Sequence, residues 1–369
     1  MRIGVVKEIK NHEYRVGLTP ADAEAYIAHG HTVVVESSAG ARVGFGDEAY
    51  ARAGVTVLPG AEAVFAEADM VIKVKEPQPR ECELLREDQI LFTYLHLAAE
   101  HELTKRLLEK RVKAVAYETI EEHGSLPCLV PMSEIAGRLA VQEGAKYLET
   151  HFGGSGILLG GVPGVRRGRV AIVGGGVVGT NAAKIAVGMG ANVTVLDVNA
   201  SRLAYLDDIF GASISTLYST DANIERSLAE CDVLIGAVLI PGARAPRLVR
   251  REHLGLMRPG SVIVDVAVDQ GGCIETIHPT THDDPIYEVD HILHYGVANM
   301  PGAVALTSTL ALTHSTLGYG LRIADSELEK AIADSSAIAA GVNVYAGRVT
   351  CKAVSEAHDL AFTPICELV

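Results

Sequence analysis

Val170-Ala171-Ile172-Val173 runs without a break into Gly174-Gly175-Gly176-Val177-Val178-Gly179, and no other junction constrains this chain as much. Four apolar residues, three of them β-branched, read as a buried strand. The glycines follow the G-x-G-x-x-G spacing, and residues 180–189 then have helical character. Gly174 permits a tight turn, Gly176 lets backbone approach a pyrophosphate, and Gly179 lets helix pack close to strand. A glycine-rich turn alone can imitate this pattern in any α/β protein. Here, however, a second strand, Val193-Thr194-Val195-Leu196, ends in Asp197, at the roughly 20-residue interval expected of an acid that accepts from a ribose 2′-OH. The order strand, turn, helix, strand, acid predicts a dinucleotide site. Asp197 would repel a 2′-phosphate, which favours NAD over NADP. Arg202 complicates this, since it could receive such a phosphate, lie over the adenine, or sit on a solvated helix face. No G-x-x-x-x-G-K-[ST] occurs, so an ATP-type P-loop is not expected.

Strand–helix alternation extends both ways from this motif. Residues 3–6, 32–36, 55–58, 70–74, 89–94 and 113–117 read as strands, with helical stretches at 20–29, 47–53, 61–68 and 100–110. Thr19-Pro20 looks like an N-cap followed by a proline in the first helical position. A long helix is expected over 133–149. After glycine-rich punctuation the alternation restarts, with strands at 169–173, 192–196, 213–217, 233–237, 261–266 and 294–297. From 306 to 340 the pattern is helical with no further strand. At 369 residues the chain is too long for one typical core. The expected fold is α/β, with two doubly wound (Rossmann-like) parallel-sheet domains and a cleft between them. Residues 1–130 plus 305–369 would form a discontinuous substrate domain, and 131–304 an inserted NAD-binding domain.

Composition narrows the partners. With 32 basic against 46 acidic residues the net charge is −14, which argues against nucleic acid or an anionic membrane surface as partner. Six scattered cysteines show no C-x-x-C spacing, so neither a disulfide framework nor a zinc knuckle is expected, and a reducing cytoplasm fits. Charges within Met1–Glu8 stand where a leader peptide needs its apolar run. The apolar region 170–196 is broken by Asn181, Lys184 and Asn192, so it supplies no membrane span of about 20 residues. Pro279 would break a helix carrying the pair His278/His282, and His291/His294 lie in a short strand-like segment, so no metal site is expected.

In open α/β sheets ligands bind beyond the carboxyl ends of strands. Val238-Leu239, Val266 to Asp269 and Val297 to Met300 fall at such ends in the second half, with Asp269 and Asn299 as polar neighbours for a nicotinamide. In the first half Lys73 and Lys75 stand two apart at a strand end and would share one face; Lys73 reads equally well as a solvated edge. His96 ends an apolar strand, where a histidine is as readily a hydrogen-bonded core residue as a proton carrier. Arg15, after the first strand, reads as an unpaired cation. It is either solvated or, since guanidinium binds carboxylate bidentately, a clamp for an α-amino or α-keto acid.

With these segments assembled, the chain resembles the alanine dehydrogenase family from Met1 to about Gly320. The resemblance is carried by Lys7-Glu8 to Arg15-Val16, Lys73-Val74-Lys75-Glu76-Pro77, Tyr94 to Ala99, Pro131-Met132-Ser133-Glu134, Gly161 to Val165, Gly236 to Gly242, Asp265 to Gly272, and Val297 to Pro301. It implies NAD-dependent, reversible oxidative deamination of L-alanine to pyruvate and ammonium. Arg15 and Lys75 are then the substrate-binding residues, and His96 and Asp269 the acid/base pair. Cofactor contacts are implied from Ser133, Val177, Val178, Asp197, Arg202, Ser219, Val238, Leu239, Val266, Val268, Val297 and Met300. A homohexamer is implied too. The sequence departs from the family pattern at Ser155, where arginine is expected, and at His314 and Gly318. Two similar alternatives stay open: the NAD(H)-binding subunit of a membrane transhydrogenase, and a saccharopine-type dehydrogenase.

Overall fold

The computed structural model describes residues 1–238, 245–268 and 271–369. They divide into two compact units, Met1–Met132 with Val304–Val369, and Ser133–Ala303. Both are α/β.

The first unit is an eight-stranded sheet. Its strands are β1 (Arg2–Val5), β2 (Thr32–Glu36), β3 (Thr56–Leu58), β4 (Met70–Ile72), β5 (Ile90–Thr93) and β6 (Lys113–Ala116). Two more, which we number β14 (Val342–Tyr345) and β15 (Arg348–Val349), come from the C-terminal segment. The order across the sheet is β15-β14-β6-β5-β4-β1-β2-β3. Strands β1 to β6 are all parallel. Every residue of β4 and β5 is buried, as expected of strands covered on both faces by helices. On one face Val71 of β4 and Leu91 of β5 join Val34, Phe65, Leu107 and Ala114 in one hydrophobic core. The helix Pro20–Ala28 starts as its sequence suggests, with the Thr19 hydroxyl accepting from Asp22 N at 3.2 Å and Pro20 in the first turn.

The second unit contains β7 (Arg169–Val173), β8 (Asn192–Asp197), β9 (Ile214–Tyr218), β10 (Val233–Gly236), β11 (Val262–Asp265), β12 (Ile286–Val289) and β13 (Ile292–Tyr295). Their order is β12-β13-β11-β10-β7-β8-β9. In both sheets the chain winds outward on one side of its first strand and then returns to wind outward on the other. Loops leaving β1 and β4, and those leaving β7 and β10, therefore diverge, and a crevice opens at the carboxyl ends of these adjacent strands.

Both sheets are largely parallel, with antiparallel strands at one edge of each. β12 lies antiparallel to β13, while β14 lies antiparallel to β6 and β15 antiparallel to β14. The segment after residue 340, read as strandless, thus extends the first sheet. Both hairpins turn on two residues with positive φ, Asp290-His291 (49° and 66°) and Ala346-Gly347 (49° and 75°). That is the type I′ pattern, usually announced by Asn-Gly or Asp-Gly. Alanine and histidine in its left-handed positions hide it.

Candidate active site and nucleotide-binding loop

In the second unit the glycine motif does three separate jobs. Gly174 leaves β7 at φ +102°, and a Cβ there would lie 2.6 Å from Ala237 O. Gly179 sits in the first turn of the helix Val177–Gly188, where a Cβ would come within 1.8 Å of Gly174 O. Only Gly176, the N-cap, faces open space: a Cβ there would meet nothing within 4 Å. A helix start carries backbone N–H groups that its own turn leaves unbonded, together with the positive end of the helix dipole. Open space in front of that terminus is what an anionic pyrophosphate requires.

Asp197 closes β8 with both oxygens bonded to backbone: Oδ2 accepts from Gly175 N at 2.6 Å and Oδ1 from Asn199 N at 2.8 Å. The carboxylate is thereby fixed beside the glycine turn. Arg202 is not on a solvated face. Its guanidinium folds onto the turn, donating to the carbonyl oxygens of Gly175 and Gly176 and to the Thr180 hydroxyl, and it stacks 4.6 Å from the Tyr205 ring centre. Ser219 follows β9 and bonds through its N–H to Asp197 O at 3.0 Å. Val238 follows β10, Val266 and Val268 follow β11, and Val297, Asn299 and Met300 follow β13, so all stand at one end of the sheet. Ser133 lies in the helix Val130–Tyr147. Leu239 and Asp269 lie outside the described residues.

Sequence reasoning passed over Asp265, which ends β11. Buried, it accepts from Ala267 N (2.9 Å), Cys273 N (2.8 Å) and Ile274 N (3.1 Å), tying together the two ends of the segment that carries Asp269. Burial raises its carboxyl to about 6 despite those bonds.

In the first unit the carboxyl ends of β1, β4, β5 and β6 carry the charged groups. Arg15 is neither solvated nor unpaired. It is 2% exposed, and Glu13 takes its Nε at 2.7 Å and Nη2 at 2.6 Å, while Nη1 reaches Met132 Sδ at 3.1 Å. Burial works against its charge, but Glu13 more than offsets this and holds the guanidinium pKa above its ordinary value. Glu13 thus occupies the Nε–Nη2 edge of the guanidinium.

Lys73 and Lys75, two residues apart, have different fates. Lys73 is fully buried, donating to Glu81 Oε1 at 2.6 Å and Glu8 Oε2 at 3.2 Å. It is a structural cation rather than part of a solvated edge. Burial lowers its pKa, but the two carboxylates reverse that and leave it raised. Glu8 Oε1 in turn accepts from Val74 N at 2.6 Å and Lys75 N at 3.3 Å, which sets the path of the loop. Lys75 is half-buried beyond that point.

His96 follows β5 in the left-handed region (φ 52°, ψ 32°). Two carboxylates that the sequence reading did not single out hold it. Glu118, just past β6, accepts from His96 N at 2.6 Å and from Leu95 N at 3.1 Å. Glu76 turns Oε2 toward the ring, 3.5 Å from Nδ1, and its Oε1 pairs with Lys10. The imidazole is 42% exposed, so it is not a core histidine. Position at a strand's carboxyl end is the signal that would have found both acids. The departures from the family pattern lie elsewhere: His314 and Gly318 are exposed on the helix Ala305–Ser326, and Ser155 bonds Gly260 O through its N–H at 2.9 Å.

Comparison with known proteins agrees with this geometry. Residues 4–136 match the family model described as "Alanine dehydrogenase/PNT, N-terminal domain", and residues 140–352 match "Alanine dehydrogenase/PNT, C-terminal domain". The chain is 58% identical to the alanine dehydrogenase of Methanococcus maripaludis, over 99% of this chain and 98% of that one. It is 57% identical to the alanine dehydrogenase of Bacillus subtilis, over 98% and 95%. A solved L-alanine dehydrogenase superposes with a TM-score of 0.95 at 55% identity, covering 98% of this chain and all of that one. Glycine turn, strand-end charges and full-length similarity agree, and the chain belongs to the alanine dehydrogenase/PNT family.

Proposed function

We propose that this protein is an NAD-dependent L-alanine dehydrogenase, interconverting L-alanine, NAD+ and water with pyruvate, NADH, ammonium and a proton. One observation carries the reading. Arg15, Lys75 and the half-exposed imidazole of His96 all leave the carboxyl ends of one sheet, with Glu13 paired to the Arg15 guanidinium, Glu8 holding the Lys75 backbone N–H and Glu76 facing the His96 ring. A cation pair with a proton carrier suits a small amino acid, whose carboxylate must be held while its nitrogen is exchanged for oxygen.

The glycine turn fits a dinucleotide because Gly176 faces open space at a helix start and Asp197 is fixed beside it. Bound NAD supplies the acceptor for the two electrons that leave the substrate carbon. The chain's own residues do the rest. Arg15 and Lys75 grip the carboxylate and orient the carbon. His96 moves protons to and from the water that replaces ammonia, imidazole being the side chain that changes charge between about pH 5 and 8. Asp269 balances positive charge at the substrate nitrogen. Val177 and Val178 offer N–H groups to phosphate, Asp197 receives the ribose, and Arg202 lies over the adenine. Assembly as a homohexamer in the cytoplasm completes the reading; no helix among the described residues is long and apolar enough to cross a membrane.

Purified protein should reduce NAD with alanine as sole co-substrate, and His96→Ala should lose about 10²- to 10⁴-fold in kcat while still binding NAD. Unchanged turnover in that variant would remove His96 from the chemistry. Failure of alanine alone to reduce NAD would overturn the whole assignment.

A further inference from the structure

A histidine that carries protons has two ring nitrogens, and something must decide which one meets the substrate. Four features of the structure bear on that choice. Glu76 Oε2 lies 3.5 Å from His96 Nδ1, within reach of charge attraction but past a good hydrogen bond. That oxygen is buried and, among the described residues, has no hydrogen-bond donor. The Glu76 side chain is 6% exposed, and its other oxygen is tethered by Lys10. Finally, Glu118 pins the His96 backbone through two N–H groups, fixing where the ring is rooted.

We propose that Glu76, tethered by Lys10, is the positioning residue of the His96 imidazole, receiving Nδ1–H and so presenting Nε2 to the substrate. This rests on the reading of His96 as the proton carrier. A buried carboxylate oxygen without a donor is costly, and closing the remaining fraction of an ångström would satisfy it. The backbone at His96 is left-handed. Histidine is among the residues enriched in that conformation, and here the ring it carries faces Glu76. A carboxylate behind a histidine fixes both tautomer and orientation and stabilises the imidazolium when it forms.

The charges around the ring are few. Glu76 faces Nδ1, with Lys10 bonded to its far oxygen and Lys75 acting on it through space. Glu118 holds the backbone, and the Tyr94 ring lies 6.0 Å away, centre to centre. Burial alone would raise the Glu76 carboxyl, but His96, Lys10 and Lys75 outweigh it and bring it down to about 2. Glu76 is therefore an anion at neutral pH.

Opposite shifts from two variants provide the test. Glu76→Gln keeps shape and removes charge, so the acid limb of kcat/KM should move to lower pH by about one unit, and kcat should fall about 10- to 100-fold. NAD affinity should stay within about twofold, since no cofactor contact in the proposed site involves Glu76. Lys10→Met leaves Glu76 with an uncompensated charge and should move the same limb upward. Glu76→Asp, one methylene shorter, should recover part of the rate. The pairing itself is read without turnover by imidazole C2-hydrogen exchange on the His96 peptide against pH. Its midpoint should fall in Glu76→Gln and rise in Lys10→Met. Identical exchange curves in wild type and Glu76→Gln, or shifts of the same sign in both variants, would overturn the proposal. His96→Ala separates the two levels: normal turnover there would defeat the proton-carrier reading, while the exchange curves would still judge the pairing.

Discussion

Replacing Lys73 with methionine isolates the buried ion triad beneath the candidate substrate loop. The ammonium lies 2.6 Å from Glu81 and 3.2 Å from Glu8, with all three side chains almost completely buried. At an effective dielectric near 20, each contact is worth about 5–6 kcal/mol of gross attraction. Desolvating the ammonium offsets several kcal/mol of that. Methionine restores the packing but leaves two acids facing each other in an apolar site, and breaking a buried pair in this way costs about 3–5 kcal/mol. For a unit of this size that corresponds to roughly 10 °C in melting temperature. The pH dependence has a definite sign. The Glu8 carboxyl is already raised in the wild type, by burial above all, with Lys73 pulling the other way. Without Lys73 it rises further, so the deficit is largest at neutral to alkaline pH and shrinks as acid protonates Glu8. Because Glu8 also holds Val74 N and Lys75 N, KM for alanine should rise as well. Thermal unfolding from pH 5 to 8 measures the first effect and steady-state kinetics the second. A variant as stable as wild type at pH 8, or one whose deficit grows on acidification, would refute the reasoning. Converting Glu8 and Glu81 to glutamine in the Lys73→Met background should recover much of the loss.

Two further outcomes separate ligand from fold in the second unit. Gly179→Ala drives a Cβ to within 1.8 Å of Gly174 O, and this overlap should destabilise by at least about 3 kcal/mol. Gly176→Ala meets open space and should melt within about 2 °C of wild type while losing nucleotide affinity; equal melting losses in the two variants would contradict this division of labour. Asp197→Ala removes a charged acceptor, so fluorescence titration should show NAD affinity falling about 10- to 100-fold with rejection of NADP relaxed. A wild-type preference for NADP would contradict the ribose argument.

Much of the fold could be read along the chain because its signals are local. β-Branched runs mark β7 and β8, Thr19-Pro20 marks a helix start, and the glycine spacing marks the turn between β7 and its helix. The two hairpins were illegible for an equally local reason: Ala346 and His291 occupy positions that usually advertise themselves as asparagine, aspartate or glycine. Positions at strand ends could likewise be inferred, which made Arg15, Lys75 and His96 candidates, while their roles are what the family resemblance implies.

What the residues around them do could not be. Lys73 and Lys75 are two positions apart and chemically the same, yet one is sealed between Glu8 and Glu81 while the other lies half-exposed at the loop. Arg15 is buried by the fold and shielded by Glu13, and His96 is aimed by Glu76 and Glu118. The amino-acid order by itself determined which segments become strands, where they turn, and which side chains stand at their ends, because those choices depend on periodicity and backbone freedom over a few residues. Only the tertiary structure decided which charges meet, because β1, β4, β5 and β6 become neighbours by sheet order, and burial then turns a nearby charge from a screened interaction into a decisive one.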